Sequence, residues 1–269
     1  AEPATVDEAD RVTLYGEMAD QAIAGEWPGS SAAGEQPKFT ACVRRDGLPV
    51  SVIVKFSGSA GRPEDQRWAD LLMAEHVAAS LLNRHGIPAA RTSIVRCGRA
   101  FLEVTRFDRT GAHGRRNIVS LSSLSAAFYG ELMAPWTQIA STLEADGWIT
   151  PEDARRMALL WWFGTLIGNT DMHYGNLSFY LTPGRPLRLA PAYDMLPMFY
   201  RPDLEGRLPD RQLSPAPPPP EQIDTWSRAI EIAIEFWRAV ADEQEISREF
   251  RTIAGRSLEA LAKQRRQFG

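Results

Sequence analysis

Lysine, cysteine and long apolar runs are what this chain has least of. Of its 30 basic residues only three are lysine, Lys38, Lys55 and Lys263. Arginine is therefore the default cation, and a retained lysine marks a place where a compact ammonium suits better than a planar guanidinium. Two cysteines, Cys42 and Cys97, form no CxxC pair, so two free thiols in a reducing, cytoplasmic compartment are expected, with a disulfide left open by spacing alone. No apolar run reaches the about 18 residues of a membrane span, so no membrane partner is expected. The acidic start AEPATVDEADR is neither a signal nor a transit peptide, and the missing initiator Met reads as processing or truncation. A net charge of −4 argues against a general nucleic-acid or anionic-membrane binder.

What remains is ordinary for a globular protein: 44% hydrophobic and 24% charged residues in 269, enough for one two-lobed domain or two small ones. The unusual feature is local. Leu166-Ile-Gly-Asn-Thr-Asp-Met-His-Tyr-Gly-Asn176, followed by Leu189-Ala-Pro-Ala-Tyr-Asp194, sets Asn169, Asp171, His173, Asn176 and Asp194 among apolar residues. Polar clusters in apolar surroundings cost folding energy unless satisfied, and metal and catalytic sites tolerate that cost. Asp171 and Asn176 stand five apart, the spacing at which a kinase catalytic loop places its base and a Mg²⁺-binding Asn. Asp194, beyond a strand-like segment, is placed as a second metal ligand.

The first half reads as a small sheet with one long helix. A helix is expected over Val6–Ala24, then a small-residue loop, Gly29–Lys38, able to bring backbone N–H groups close to phosphate. Lys38–Arg44 and Val50–Phe56 read as strands joined by an Asp46-Gly47 hairpin turn. Lys55 is then a lysine inside an apolar strand, open to two readings: a snorkelling edge residue or a phosphate-binding ammonium. The periodicity predicts a helix over Asp65–His85, with Glu75 near its apolar face, as an ordinary carboxylate or as the ion-pair partner of Lys55. Two further strands, Ala90–Cys97 and Ala100–Phe107, lead to a Gly- and Arg-rich loop. The expected lobes are 1–107 and 108–269.

The second half reads as helical. A short helix is expected around Trp136–Asp146. Thr150-Pro-Glu-Asp153 is a helix start, and Pro151–Ile167 turns apolar on all sides, which predicts burial. Leu177–Leu181 and Leu187–Leu189 predict a small hairpin. Residues 197–220 are proline-rich and extended, and Ile223–Ala241 and Ile246–Gln267 are amphipathic helices. The fold class is α+β: a two-lobed protein-kinase-like fold, an antiparallel sheet plus helix followed by a mostly helical lobe.

Phosphoryl transfer needs phosphates held in line, their charge neutralised and a hydroxyl oriented. The loop, Lys55, Glu75, Asp171, Asn176 and Asp194 supply these parts in kinase order. The chemical rival is a metal-dependent hydrolase or nuclease using Asp171, His173 and Asp194. A non-catalytic pseudokinase that senses nucleotide is the third reading.

The segments Ser31-Ala-Ala-Gly-Glu-Gln-Pro-Lys38, Val52-Ile-Val-Lys55, Arg106-Phe-Asp-Arg109, Leu166–Asn176 and Leu189–Asp194 together resemble the HipA family of bacterial toxin kinases. The match runs from about Ser30 to Asp194. It looks like the shorter HipT-like kinases, or the C-terminal kinase part of a longer YjjJ-like relative. The resemblance implies transfer of the ATP γ-phosphate to Ser or Thr of a protein, with Mg²⁺, Asp171 as base, and Asn176 and Asp194 on the metal. Around ATP it implies Ala33, Gly34, Glu35, Gln36, Lys38, Lys55, Glu75, Thr105, Arg106, Phe107, His173 and Tyr193. It also implies a substrate such as an aminoacyl-tRNA synthetase, a HipB-like antitoxin, and autophosphorylation at Ser31 or Ser30. One departure stands out: Gly175 occupies a position where many relatives have Lys, which predicts weaker phosphate stabilisation from this loop.

Overall fold

The computed structural model describes residues 4–25, 36–59, 61–111, 113–130 and 134–268. Ser30, Ser31, Ala33, Gly34 and Glu35 lie outside them. A five-stranded sheet holds β1 (Ala4–Asp7), β2 (Lys38–Arg45), β3 (Leu48–Phe56), β4 (Thr92–Arg96) and β5 (Ala100–Thr105), in the order β1-β2-β3-β5-β4. All pairings are antiparallel except β1 with β2, a parallel edge where an all-antiparallel sheet was expected. The expected N-terminal helix is divided accordingly. Val6 opposes Val43 and is buried, and α1 (Arg11–Ile23) starts only after a turn. A β-branched residue fits this pleated, buried setting better than a helix end. The β2–β3 turn has Asp46 at φ 49° and Gly47 at φ 75°, the left-handed pair of a tight hairpin.

Between the strands runs α2 (Pro63–Arg84), which spans both halves of the molecule. Its Ala69 and Leu72 pack under β5, while Leu71, Ala74, Ala78, Leu81 and Leu82 join the large helical core. That core is completed by α3 (Leu121–Phe128), α4 (Trp136–Ala145), α5 (Pro151–Ile167), α6 (Ile223–Asp242) and α7 (Arg248–Phe268). Beyond the sheet, β6 (Arg109–Thr110) and β7 (Gly114–Arg115) form a short arm. A second small sheet joins β8 (Ile118–Ser120), β9 (Ser178–Tyr180) and β10 (Arg188–Leu189). The hairpin expected at 177–189 is this β9–β10 pair; β8 and α3 were not foreseen. Among the described residues, no helix is long and apolar enough to cross a membrane.

Helix α5 begins as its sequence dictates, with the Thr150 hydroxyl accepting from the Asp153 N–H at 3.1 Å. It ends at Gly168, whose φ of 75° suits glycine, and the Asn169 N–H reaches back to the Gly164 carbonyl at 2.8 Å. Burial on all sides was expected, yet Trp161 and Thr165, about one turn apart, stay half-open.

Two buried charges fasten α2 to the C-terminal helices. Arg67, 2% exposed, donates to the Tyr200 carbonyl at 2.9 Å and to Glu249 at 2.7 Å. Asp70, 1% exposed, accepts from the Ser247 N–H at 2.8 Å and the Ser247 hydroxyl at 2.6 Å. Ser247 in turn caps the start of α7, accepting from the Phe250 N–H at 3.2 Å. Burial raises the Asp70 carboxyl above the ordinary range, and its hydrogen bonds only partly offset that. Asp70→Ala should therefore lower stability by about 1–3 kcal/mol, because it leaves the half-buried N–H and hydroxyl of Ser247 without their acceptor. Exposed Ser80→Ala, on the same helix, serves as the control at about 0.5 kcal/mol or less. Urea titration of both variants checks this, and equal losses would contradict the fastening role.

Candidate functional site

Three charged side chains meet where the sheet faces the helical body. Lys55 is the penultimate residue of β3, Glu75 lies in the fourth turn of α2, and Asp194 follows the small sheet. The Lys55 ammonium donates to both Glu75 oxygens, at 2.7 and 2.8 Å, and to the Asp194 carboxylate. Side-chain exposures are 10% for Lys55, 4% for Glu75 and 31% for Asp194, so only Asp194 keeps a face to solvent. Burial alone would pull the Lys55 ammonium down, but Asp194 and Glu75 outweigh it and hold the pKa above the ordinary value. For Asp194 burial pushes upward, and Lys55, with help from Lys38 and His173, overcomes it and leaves the carboxyl below its usual range. Glu75 is the opposite case. Burial raises it, and Lys55 and the Asp194 N–H offset only part of that. Lys38 stands directly across the β2–β3 ladder from Lys55, so both ammoniums project from one face of the sheet.

Asp194 has φ 56°, a left-handed conformation uncommon outside glycine. It is held there from below: the Asn169 amide donates to the Asp194 carbonyl at 3.0 Å. The same Asn169 accepts from the Asp171 N–H at 3.0 Å, so one buried side chain joins the two acidic segments. Asn169 was noted in the polar cluster but given no role; its position just past the αL turn of α5 was the available signal. Asn176 donates to the Asp171 carbonyl at 2.8 Å, which closes the loop on itself and leaves the Asn176 oxygen as its ligating atom.

Asp171 and His173 are the exposed members, with 48% and 58% of their side-chain surface open, and the His173 Nε2 lies 4.0 Å from the Asp171 carboxylate. The His173 Nδ1 accepts from the Gly175 N–H at 2.9 Å and caps the short turn Tyr174–Asn176. A Cβ at residue 175 would stand 2.8 Å from this ring. Glycine at 175 thus leaves room for the imidazole to fold over the loop.

An aromatic group adjoins the charges. Phe107 lies 5.7 Å from Tyr193 and 6.2 Å from Tyr180, ring centre to ring centre. Phe107 and Tyr193 pack against the cluster of Ala90, Leu102 and Val104 beneath β5. The Tyr193 hydroxyl bonds the Gly175 carbonyl and the Ser178 hydroxyl, both at 2.8 Å, and burial lifts its phenol up to about 12. Tyr180 was not anticipated, because an aromatic in a three-residue strand gives no sequence signal of its neighbours. The Thr105 N–H pairs with the Arg91 carbonyl at 2.8 Å. Arg106 spends its guanidinium on Asp108 at 2.7 and 2.9 Å. The Gln36 side-chain amide donates to the Phe56 carbonyl at 3.5 Å, the limit of a hydrogen bond. Among the described residues, no three His, Cys, Asp or Glu side chains are grouped so as to hold a metal.

A sheet lobe and a helical body meeting at a Lys–Glu–Asp triad define a two-lobed, protein-kinase-like fold. The chain belongs to the family of the HipA-like C-terminal domain, whose model matches residues 30–264. It is 39% identical over 254 residues to the toxin YjjJ of Escherichia coli K12, covering 94% of this chain but 57% of that protein. A solved HipA from the toxin–antitoxin complex of Shewanella oneidensis superposes with a TM-score of 0.55 at 21% identity, covering 90% of this chain and 65% of that one. The Helicobacter pylori proinflammatory kinase CtkA superposes with a TM-score of 0.53 at 14% identity, covering 88% and 93%. The chain thus spans little more than half the length of the curated relative it matches.

The energetics of the triad are testable without any ligand. Lys55→Met should cost about 3–5 kcal/mol, since it leaves Glu75 buried without its cation. The double variant Lys55→Met/Glu75→Leu should recover most of that loss in a urea double-mutant cycle. A double variant no more stable than the single one would show that burial of Glu75 is not what costs.

Proposed function

We propose that this chain is an ATP- and Mg²⁺-dependent protein serine/threonine kinase of the HipA-like toxin class, with lobes 1–107 and 108–269. The observation that carries the reading is the convergence of Lys55, Glu75 and Asp194, tied through Asn169 to the loop Asp171–Asn176. The residues fit the groups the reaction needs. Asn176 and Asp194 offer hard oxygen atoms suited to Mg²⁺. Lys38 and Lys55 offer two ammoniums for phosphates, and Phe107 and Tyr193 offer aromatic faces for a purine ring. Bound Mg²⁺-ATP would supply the phosphoryl group and neutralise the charge that develops on it.

In this reading Glu75 holds the Lys55 ammonium in place. Asp171, with nearly half its side-chain surface open, accepts the proton of the acceptor hydroxyl. His173 lines the phosphate side of the same loop. Ala33, Gly34, Glu35, Gln36, Thr105 and Arg106 complete the nucleotide surroundings, and Ser31 or Ser30 is the autophosphorylation candidate. A loop phosphoserine would add close to two negative charges and repel nucleotide. A translation protein such as an aminoacyl-tRNA synthetase is the proposed substrate. A HipB-like antitoxin is the proposed partner, supported by the Shewanella relative, which was solved with HipB and operator DNA.

Asp171→Gln should lower transfer of labelled phosphate from ATP to lysate proteins by at least about 10²-fold, with folding and nucleotide affinity retained. Asp194→Asn should weaken Mg²⁺-ATP binding. Undiminished transfer by Asp171→Gln would remove the assignment of the base. Binding of ATP with no transfer by the wild type would favour the pseudokinase reading, and ATP-independent cleavage of nucleic acid the hydrolase one.

A further inference from the structure

We propose that the cavity beside Asp171 docks the acceptor polypeptide, and that it selects an unmodified serine or threonine flanked by a bulky apolar residue. This rests on the kinase reading. The cavity, about 600 Å³, lies between α5, the loop 168–174 and the extended segment 212–215. Its walls include Trp161, Met172, Phe199 and Leu213, and Asp171 stands in the same lining. The groove is therefore continuous with the proposed base, and a hydroxyl presented to Asp171 places its neighbouring residue against those apolar walls.

Charge decides what kind of neighbour fits. In a chain with 24% charged residues, the lining holds, among the described residues, no Lys, Arg or Glu, one Asp and one His. No Lys or Arg there compensates an acidic or phosphorylated segment, and Asp171 repels one. A basic neighbour would be attracted by Asp171, but among the described lining residues its charged end would find no second carboxylate. An aliphatic or aromatic neighbour matches the surface that is present. The second observation is the half-open stripe of α5. Trp161 and Thr165 are only partly covered by the rest of the protein, and both line this groove.

Two assays on the whole chain separate this proposal from the kinase reading. In the first, a library of serine and threonine peptides with varied flanking residues is offered with labelled ATP. In the second, fluorescein-labelled peptides with alanine at the acceptor position report binding by anisotropy, with no need for transfer. Leu- and Phe-flanked peptides should lead in both. Trp161→Ala should weaken their binding about 10- to 100-fold, the range for one apolar group in a pocket. Gln212→Glu and Ser214→Glu alter exposed lining residues that lie in neither helix nor strand. They should raise KM for those peptides about tenfold, leave kcat unchanged and favour Arg-flanked ones. Transfer that ignores the flanking residue, or binding unaffected by Trp161→Ala, overturns the groove. Apolar-selective binding without any transfer supports the groove and overturns the kinase reading. Absence of both overturns the two together.

Discussion

The contact on which the rest depends is the Lys55 ammonium between Glu75 and Asp194. It ties the sheet to one carboxylate on α2 and to a second, Asp194, in the other half of the chain. Neither carboxylate would sit where it does without it. Glu75 is buried deeply enough that its carboxyl is raised, and Asp194 holds a left-handed backbone whose carbonyl accepts from the Asn169 amide. A lysine suits this place better than an arginine. A point charge with three donors can serve carboxylates arriving from two directions, whereas a planar fork is built for one. That is why a chain which otherwise writes cations as arginine keeps a lysine here.

Such a triad is only as fixed as the helix carrying Glu75, and α2 is fixed from the far side. Arg67 and Asp70, one to two turns before Glu75, are spent on Tyr200, Glu249 and Ser247. Removing two charges from water is costly, so they stay buried only where every donor and acceptor is matched. The C-terminal helices therefore set the position of a carboxylate more than 170 residues earlier in the chain. A separate buried carboxylate, Glu103, does similar work on the other side of the sheet. It accepts from Tyr15 at 2.8 Å and Ser93 at 2.6 Å and anchors α1.

What could be read in the sequence follows from what is local. Helix α5 was legible to the residue, because cap, proline and glycine write its ends into adjacent positions. The Asp46-Gly47 turn and the strands β2 and β3 were legible for the same reason. Glu75 as partner of Lys55 was legible only through an order of parts, since 20 residues separate them. What could not be read needed long-range geometry. Strand β1 is a strand only because β2 offers it an edge, and four residues carry too little periodicity to show that. Asp70, Arg67 and Glu103 look in sequence like ordinary surface charges, because a match between elements far apart leaves no local trace. Tyr180 joins Phe107 and Tyr193 for the same reason.

The same logic explains how one glycine serves both the polar and the apolar side of the site. Gly168 ends α5 with a left-handed turn, and that turn delivers Asn169 to the carbonyl of Asp194. A Cβ there would stand 3.3 Å from both Leu213 and Phe199, the far wall of the apolar cavity. Any other residue would strain the backbone and press on that wall at once. The loop holding Asp171 and the groove in front of it are thus built from one turn. The geometry of the charged site and the shape of the surface beside it cannot be altered independently at this position.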